Sequence, residues 1–346
     1  MKGRIRDFLL YCETIDFGKV RLSKMENTYY RRFSNEILSL CRSLPESIQT
    51  DSILFLMRYS GINLGDKLDF YANYYSPTWS ILYWLCHNYS IPGKRLKKWD
   101  VTNAVTAQSM AMFLHSLDDH LTDSQVSASP LTLLLRSQAW TIMNHSFCNL
   151  VDGIPAGEKT VQRFINDYYS SIKDSKELKS LDSYCDLFRR QMGIGMVAPT
   201  LLSMKMTGSS DFARDIEIAY GSFGIAWRLL DDIRDIGDDI ENGSHSSIYL
   251  CLPEKIKTHW NNNKMRSRAA VRDSENAVVS HILEHGLIDK IKERICAELE
   301  TAASIVEAHK IAGLAREFRC LAHPLRKTSS IQEEENGRPG ISLGSK

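Results

Sequence analysis

Trp227-Arg-Leu-Leu-Asp231-Asp232-Ile-Arg-Asp235-Ile-Gly-Asp238-Asp239 is the stretch from which this chain is read. Residues four apart share a helix face, so Asp231, Asp235 and Asp239 form one stripe of three carboxylates. One and two turns upstream the stripe carries Trp227 and Phe223, with Gly224 and Gly221 nearby. A solvated face would continue in polar residues. Here it passes from a negative rim to an aromatic wall.

A second acidic segment lies upstream, Leu114-His-Ser-Leu-Asp118-Asp119-His-Leu-Thr-Asp123. It sets Asp119 and Asp123 on one helical face, with Asp118 flanking them. Like charges at that spacing repel, so a divalent cation or a basic partner is implied if the face is buried; alone, such a segment also fits a solvated, acid-rich helix end. Two such clusters change the reading. Hard carboxylate oxygens suit magnesium, which is held by one or two carboxylates plus waters and the phosphate oxygens of a substrate. Two acidic helices facing each other would clamp a diphosphate through shared metals. An aromatic wall below them can stabilise a carbocation by cation–π attraction, worth about 2 kcal/mol when desolvated.

The two motifs resemble the metal-binding pair of the class I isoprenoid synthase superfamily. The first is similar to its DDxxD motif, except that Thr122 stands at the fifth position and Asp123 comes one residue late. Read from Asp119, DHLTD has the DxxxD spacing of squalene and phytoene synthases. The second matches the NDxxSxxxE pattern of terpene cyclases in spacing, with Asp231, Asp235 and Asp239 in the ligand places, and is equally a DDxxD of chain-elongating prenyltransferases. The resemblance covers roughly residues 70 to 320 and implies Asp118, Asp119 and Asp123 on one metal group, Asp231, Asp235 and Asp239 on the other, and three magnesium ions.

Two further segments bear on the branch. Tyr184-Cys-Asp-Leu-Phe-Arg189-Arg190-Gln-Met192-Gly193 resembles the cyclase segment that carries a diphosphate-sensing arginine, a linker and a glycine effector, which would be Arg189, Met192 and Gly193. Arg190, Arg228 and Phe188 are further substrate-binding candidates, as are Phe223 and Trp227 in the aromatic wall. Ile91-Pro-Gly93-Lys94-Arg95-Leu-Lys97 resembles the element with which elongating prenyltransferases hold isopentenyl diphosphate, with Lys94 and Lys97 as the cations. Against elongation, the Arg-Arg-Gly expected after the first acidic motif is missing. Against a standard cyclase, the C-terminal Arg-Tyr pair is replaced by Arg316-Glu-Phe-Arg319, and Asp238 stands where cyclases carry a lysine. The aromatic block from Asp69 to Trp84 could line a prenyl cavity or be plain core.

Around these motifs the chain of 346 residues, with 43% hydrophobic and 25% charged residues, has the composition of an ordinary globular protein. Apolar residues recur at three and four, and alternating β-type runs are nearly absent, which predicts an all-α, single-domain helical bundle around a central cavity. The expected helices are 5–14, 26–44, 47–60, 77–89, 100–121, 130–150, 159–173, 177–206, 210–239, 277–308 and 310–320, with a break near Gly193 and Gly195. Residues 1–326 form the domain, and the polar stretch 327–346 is expected to be disordered. A net charge of +1 gives no reason to invoke nucleic acid. Eight scattered cysteines read as reduced thiols of a cytoplasmic protein. No stretch is apolar over the roughly 20 residues a membrane span needs, while peripheral membrane contact and homodimerisation stay open.

The expected function is therefore that of a magnesium-dependent terpene synthase that ionises and cyclises an allylic prenyl diphosphate of fifteen, twenty or more carbons with release of diphosphate. Its first alternative is a prenyltransferase, head-to-tail or head-to-head. Its alternative of another class is a non-catalytic helical protein that retains the fold.

Overall fold

The structure, a computed structural model, describes residues 2–87, 96–122, 124–173, 178–261 and 268–326, and among these it contains helices and no strand. In chain order they are α1 (Lys2–Thr14), α2 (Lys24–Arg42), α3 (Glu46–Tyr59), α4 (Pro77–His87), α5 (Lys98–Thr122), α6 (Pro130–Val151), α7 (Gly157–Lys173), α8 (Leu181–Gln191), α9 (Gly193–Thr207), α10 (Ser210–Arg234), α11 (Ile236–Asn242), α12 (Ser247–Leu250), α13 (Glu254–Asn261), α14 (Arg268–Glu284), α15 (Leu287–Ala308) and α16 (Ala312–Arg326). The all-α expectation holds.

Local chemistry sets most boundaries. Ser23 and Glu26 close a capping box on α2, and Ser129 with Thr132 does the same for α6, whose first residue is Pro130. Ser180 and Ser183 cap α8, which orients one wall of the site. Gly208 ends α9, and Gly243 ends α11, both in the left-handed region. Two helices expected as continuous are divided: 210–239 bends at Asp235, and 277–308 breaks at Gly286, whose φ of 57° a helix cannot carry. The run 177–206 breaks at Met192, one residue before the predicted break near Gly193. Helices α12, α13 and the start of α14 were not expected, because the polar run Glu241–Ser247 reads as a stop. The expected tail, 327–346, lies outside the described residues.

Helix α9 is apolar on every side, with all residues from Gly193 to Ser203 buried, so it must sit at the centre. It packs against α5 and α10, while α6 and α15 cover the outer faces of those two, and α16 lies on α15. In mid-bundle the Gln108 amide of α5 donates to the Tyr220 hydroxyl of α10 (3.0 Å) and to the Thr78 carbonyl of α4 (3.0 Å). These bonds fix the three helices in register where burial leaves no water to substitute. The C-terminal ends of α5 and α10, each bearing an acidic motif, border one opening. No described helix is long and apolar enough to cross a membrane.

Candidate active site

Both acidic motifs reach one cavity, of about 550 Å³, although Asp235 and Asp239, expected as metal ligands together with Asp231, are not among its lining residues. Asp118, Asp119 and Thr122 reach it from α5, and Arg228, Asp231 and Arg234 from α10. Helix α8 contributes Tyr184, Leu187, Phe188 and Gln191, one helical face at i, i+3, i+4 and i+7. A second, more aromatic cavity of about 300 Å³ shares Asn73, Ser116, His120 and Trp227 with the first. Its walls include Tyr59, Phe70, Tyr71, Tyr74 and Phe113. The first part of the aromatic block from Asp69 thus lines the interior. Its later members Trp79 and Tyr83 are core.

The bend at Asp235 does not break the acidic stripe. The Asp235 amide donates to the Asp231 carbonyl (2.9 Å) and the Asp239 amide to the Asp235 carbonyl (2.8 Å), so the i to i−4 bonds run through. Burial, reinforced by the neighbouring Asp235 charge, pushes the Asp231 carboxyl up to about 6. Burial likewise pushes Asp239 up to about 7, and burial together with the Asp238 charge raises Asp235. These carboxylates repel one another, and Asp231 and Asp239 are half-buried, where water screens them less than at the surface. A bound cation would relieve that repulsion.

Each aspartate doublet is split between an anchored and an open member. Asp232 is 3% exposed: it accepts the Tyr184 hydroxyl (3.0 Å), the Ser247 amide (2.9 Å) and Arg228 Nε (3.1 Å). Its neighbour Asp231 faces the cavity with no hydrogen bond or ion pair among the described residues. In the first motif Arg136 of α6 grips Asp118 through Nε to Oδ1 (2.5 Å) and Nη2 to Oδ2 (2.9 Å), and the Tyr168 hydroxyl of α7 donates to Oδ2 (3.3 Å). Asp119 next to it is exposed to the cavity and likewise unpartnered among the described residues.

Several sequence candidates take other places. Arg189 does not line the cavity: its Nη1 pairs with Asp186 (2.7 Å), and its stem lies across Gly221 of α10, where a Cβ would stand 3.2 Å from Arg189 Cγ. The reason is rotational, since α8 presents Phe188 inward and the next residue turns about 100° away. Arg190 is not among the lining residues either. Met192 does line the cavity, at the α8–α9 break. Gly193 serves packing, because a Cβ there would stand 3.0 Å from the Phe164 carbonyl oxygen. Phe223 is fully buried behind Trp227, its ring 6.0 Å away, and touches the cavity only through it. Lys97 opens α5 at the end remote from Asp118, roughly 20 residues and so roughly 30 Å along the helix axis. Lys94 and Asp123 lie outside the described residues.

Sequence reasoning missed Tyr184, Arg136 and Tyr168 as parts of the site. Tyr184 opens the segment that carries Arg189 and Gly193 but has no motif position of its own, and the other two lie in no motif. The Tyr184 hydroxyl accepts from Arg228 Nε at 2.7 Å, and the guanidinium also stacks near the Tyr184 and Phe188 rings, at 5.9 and 5.7 Å. Arg228, held on three sides with 37% of its side chain accessible, is the best-placed cation facing the cavity.

Magnesium fits the donor set in one specific way. Among the described residues no three His, Cys, Asp or Glu side chains form a ready-made cage. Magnesium does not require one, because it keeps waters and takes substrate phosphate oxygens beside one or two carboxylates. Asp119 and Asp231, open and on opposite walls, could each supply such a carboxylate.

This architecture, one all-helical domain with two acidic helix ends over an aromatic cavity, is the class I isoprenoid synthase fold. Among solved structures it is similar to a geranylgeranyl pyrophosphate synthetase from Geoglobus acetivorans (TM-score 0.60, 14% identity, 85% of this chain and 99% of that one). It is similar also to a geranylgeranyl pyrophosphate synthase from Corynebacterium glutamicum, solved with isoprenyl diphosphate and magnesium (TM-score 0.56, 13% identity, 86% and 99%). A third is a heptaprenyl diphosphate synthase from Staphylococcus aureus (TM-score 0.58, 10% identity, 86% and 98%). No protein-family model matches the sequence, and no curated protein matches it.

Proposed function

We propose that this protein is a divalent-metal-dependent enzyme that ionises an allylic prenyl diphosphate and transfers the prenyl group to a second isoprenoid. The observation that carries the ionisation step is the meeting of Asp119, Asp231 and Arg228 in one cavity that adjoins an aromatic one through Trp227. Bound magnesium would neutralise the departing diphosphate. Arg228 donates charge-assisted hydrogen bonds to the same group, and Arg234, whose Nη1 lies 3.5 Å from the Tyr75 hydroxyl, stands at the rim beside it. Trp227, with Tyr74 at 5.9 Å and edge-on, offers π faces to the allylic cation just below. The adjoining aromatic cavity offers the tail an apolar lining.

Transfer is preferred over cyclisation for two reasons. The similar solved structures are prenyl diphosphate synthases. The arginine on which the cyclase resemblance leaned, Arg189, is turned away from the cavity. Cyclisation is the second reading, favoured by one observation: Lys97 is remote, and the cationic side chains on the cavity wall among the described residues suffice for one diphosphate. Purified protein incubated with magnesium and geranyl, farnesyl or geranylgeranyl diphosphate, with and without isopentenyl diphosphate, tests both. Diphosphate release and a longer prenyl product only with the second substrate support transfer. A hydrocarbon or alcohol of unchanged carbon number from the allylic substrate alone supports cyclisation, whereas one of doubled carbon number supports head-to-head transfer. No consumption of any of them refutes the reading.

A further inference from the structure

We infer that Arg136 and Tyr168 are positioning residues that withdraw Asp118 from the metal set, so that the first acidic motif acts from Asp119, one residue later than a DDxxD register places it. The inference rests on the proposed reading of the cavity as a metal and diphosphate site.

Both Asp118 oxygens are engaged by a guanidinium fork, and one of them also by a phenol. The fork is itself braced, since Arg136 Nη2 lies 3.4 Å from the Tyr169 hydroxyl. The side chain is 13% exposed, so its charge is already neutralised in a poorly screened place. A divalent ion approaching Asp118 would meet the guanidinium within hydrogen-bond distance of its ligand, and the pair would have to open first. Asp119 meets no such obstacle. The second motif repeats the pattern independently: Arg228 and Tyr184 engage Asp232, and Asp231 is left open. In both doublets one arginine and one tyrosine, supplied wholly or partly from another helix, anchor one member. In the first motif that member is the earlier aspartate, in the second the later.

The test is Mn²⁺ binding to the full-length protein in the presence of inorganic diphosphate, followed by electron paramagnetic resonance, with circular dichroism and melting on every variant. Asp119→Asn is expected to weaken Mn²⁺ binding at least tenfold. Asp118→Asn combined with Arg136→Gln exchanges the ion pair for a neutral hydrogen-bonded pair of similar shape, and is expected to bind within threefold of the parent. A tenfold loss in that double variant, or Asp119→Asn binding within threefold, overturns the inference. If Asp119→Asn binds normally while Asp231→Asn does not, the metal site stands and only this assignment fails. If the parent protein binds no Mn²⁺ with diphosphate, the functional reading fails with it.

Discussion

Replacing Tyr184 by phenylalanine removes a single oxygen from the most connected point of the site. That hydroxyl accepts from Arg228 Nε at 2.7 Å, a part-buried bond, and donates to Asp232 Oδ1 at 3.0 Å, a fully buried one. A hydrogen bond to a charged group contributes about 1.5–3 kcal/mol. The two do not simply add, because Arg228 keeps its 3.1 Å contact with Asp232, and Asp232 keeps the Ser247 amide at 2.9 Å. The ring also keeps its place under the guanidinium. One bond's worth, about 2 kcal/mol, is the expected loss, roughly 3 °C in melting temperature for a chain of this length. A loosened Arg228 should also bind the diphosphate less well. About 1.4 kcal/mol of that binding corresponds to a tenfold rise in KM for the prenyl diphosphate, with a smaller fall in kcat. Melting by circular dichroism and steady-state diphosphate release measure the two effects. Unchanged melting and KM together would refute the view that Tyr184 holds Arg228. So would a fall in kcat at constant KM, which would put the hydroxyl's contribution in the transition state alone.

Further outcomes follow from the same contacts. Asp231 and Asp239, raised to about 6 and about 7 from an ordinary 3.8, hold protons in the folded metal-free protein that the unfolded chain releases. Their contribution to stability is full below about pH 4 and is lost as pH rises through 7, so the metal-free protein should melt lower at pH 8 than at pH 5.5. Asp231→Asn with Asp239→Asn should narrow that gap in a melting series. Trp227→Leu removes the π face at the junction of the two cavities and should cut single-turnover ionisation roughly 30-fold, the equivalent of about 2 kcal/mol; a loss under threefold would show that the cation does not meet this ring. Gly313→Ala would drive a methyl into the Trp84 ring, which the Glu317 carboxylate holds by Nε1 at 2.6 Å. The cost should reach about 3 kcal/mol in urea unfolding, since the indole cannot retreat.

The helical bundle was legible because its signals are local. The serine caps of α2, α6 and α8 and the apolar period of α10 are written in consecutive residues. The acidic stripe was legible for the same reason, since i, i+4 and i+8 share a face whatever the tertiary context. Breaks at Met192 and Asp235 were harder to place, because neither residue has a positive φ and both breaks keep most of their hydrogen bonds. Arg189 was misplaced for a plainer cause. A linear match to a motif fixes spacing but not the rotation of the helix, and on α8 that rotation is set by the glycines of α10: Gly221 receives the Arg189 stem, and Gly224 receives Met192. The same close packing that brings α8 against the site points Phe188 inward and its neighbour out.

The register of the first motif shows why such a site cannot be settled along the chain. Asp118 and Asp119 are adjacent and chemically identical, and either can begin a metal motif. What separates them arrives from 18 and 50 residues away, as Arg136 and Tyr168. A guanidinium fork selects one carboxylate because bidentate pairing needs both oxygens in one plane, and only the aspartate on the α6-facing side of α5 presents them so. The neighbour, rotated by about 100°, faces the cavity that Asp231 also lines. Anchoring one acid of each doublet also limits the repulsion across the mouth. Four unpaired carboxylates around one opening would resist closure in the absence of metal, whereas two anchored and two open ones leave a site that is negative enough to recruit a cation and still folded before it arrives.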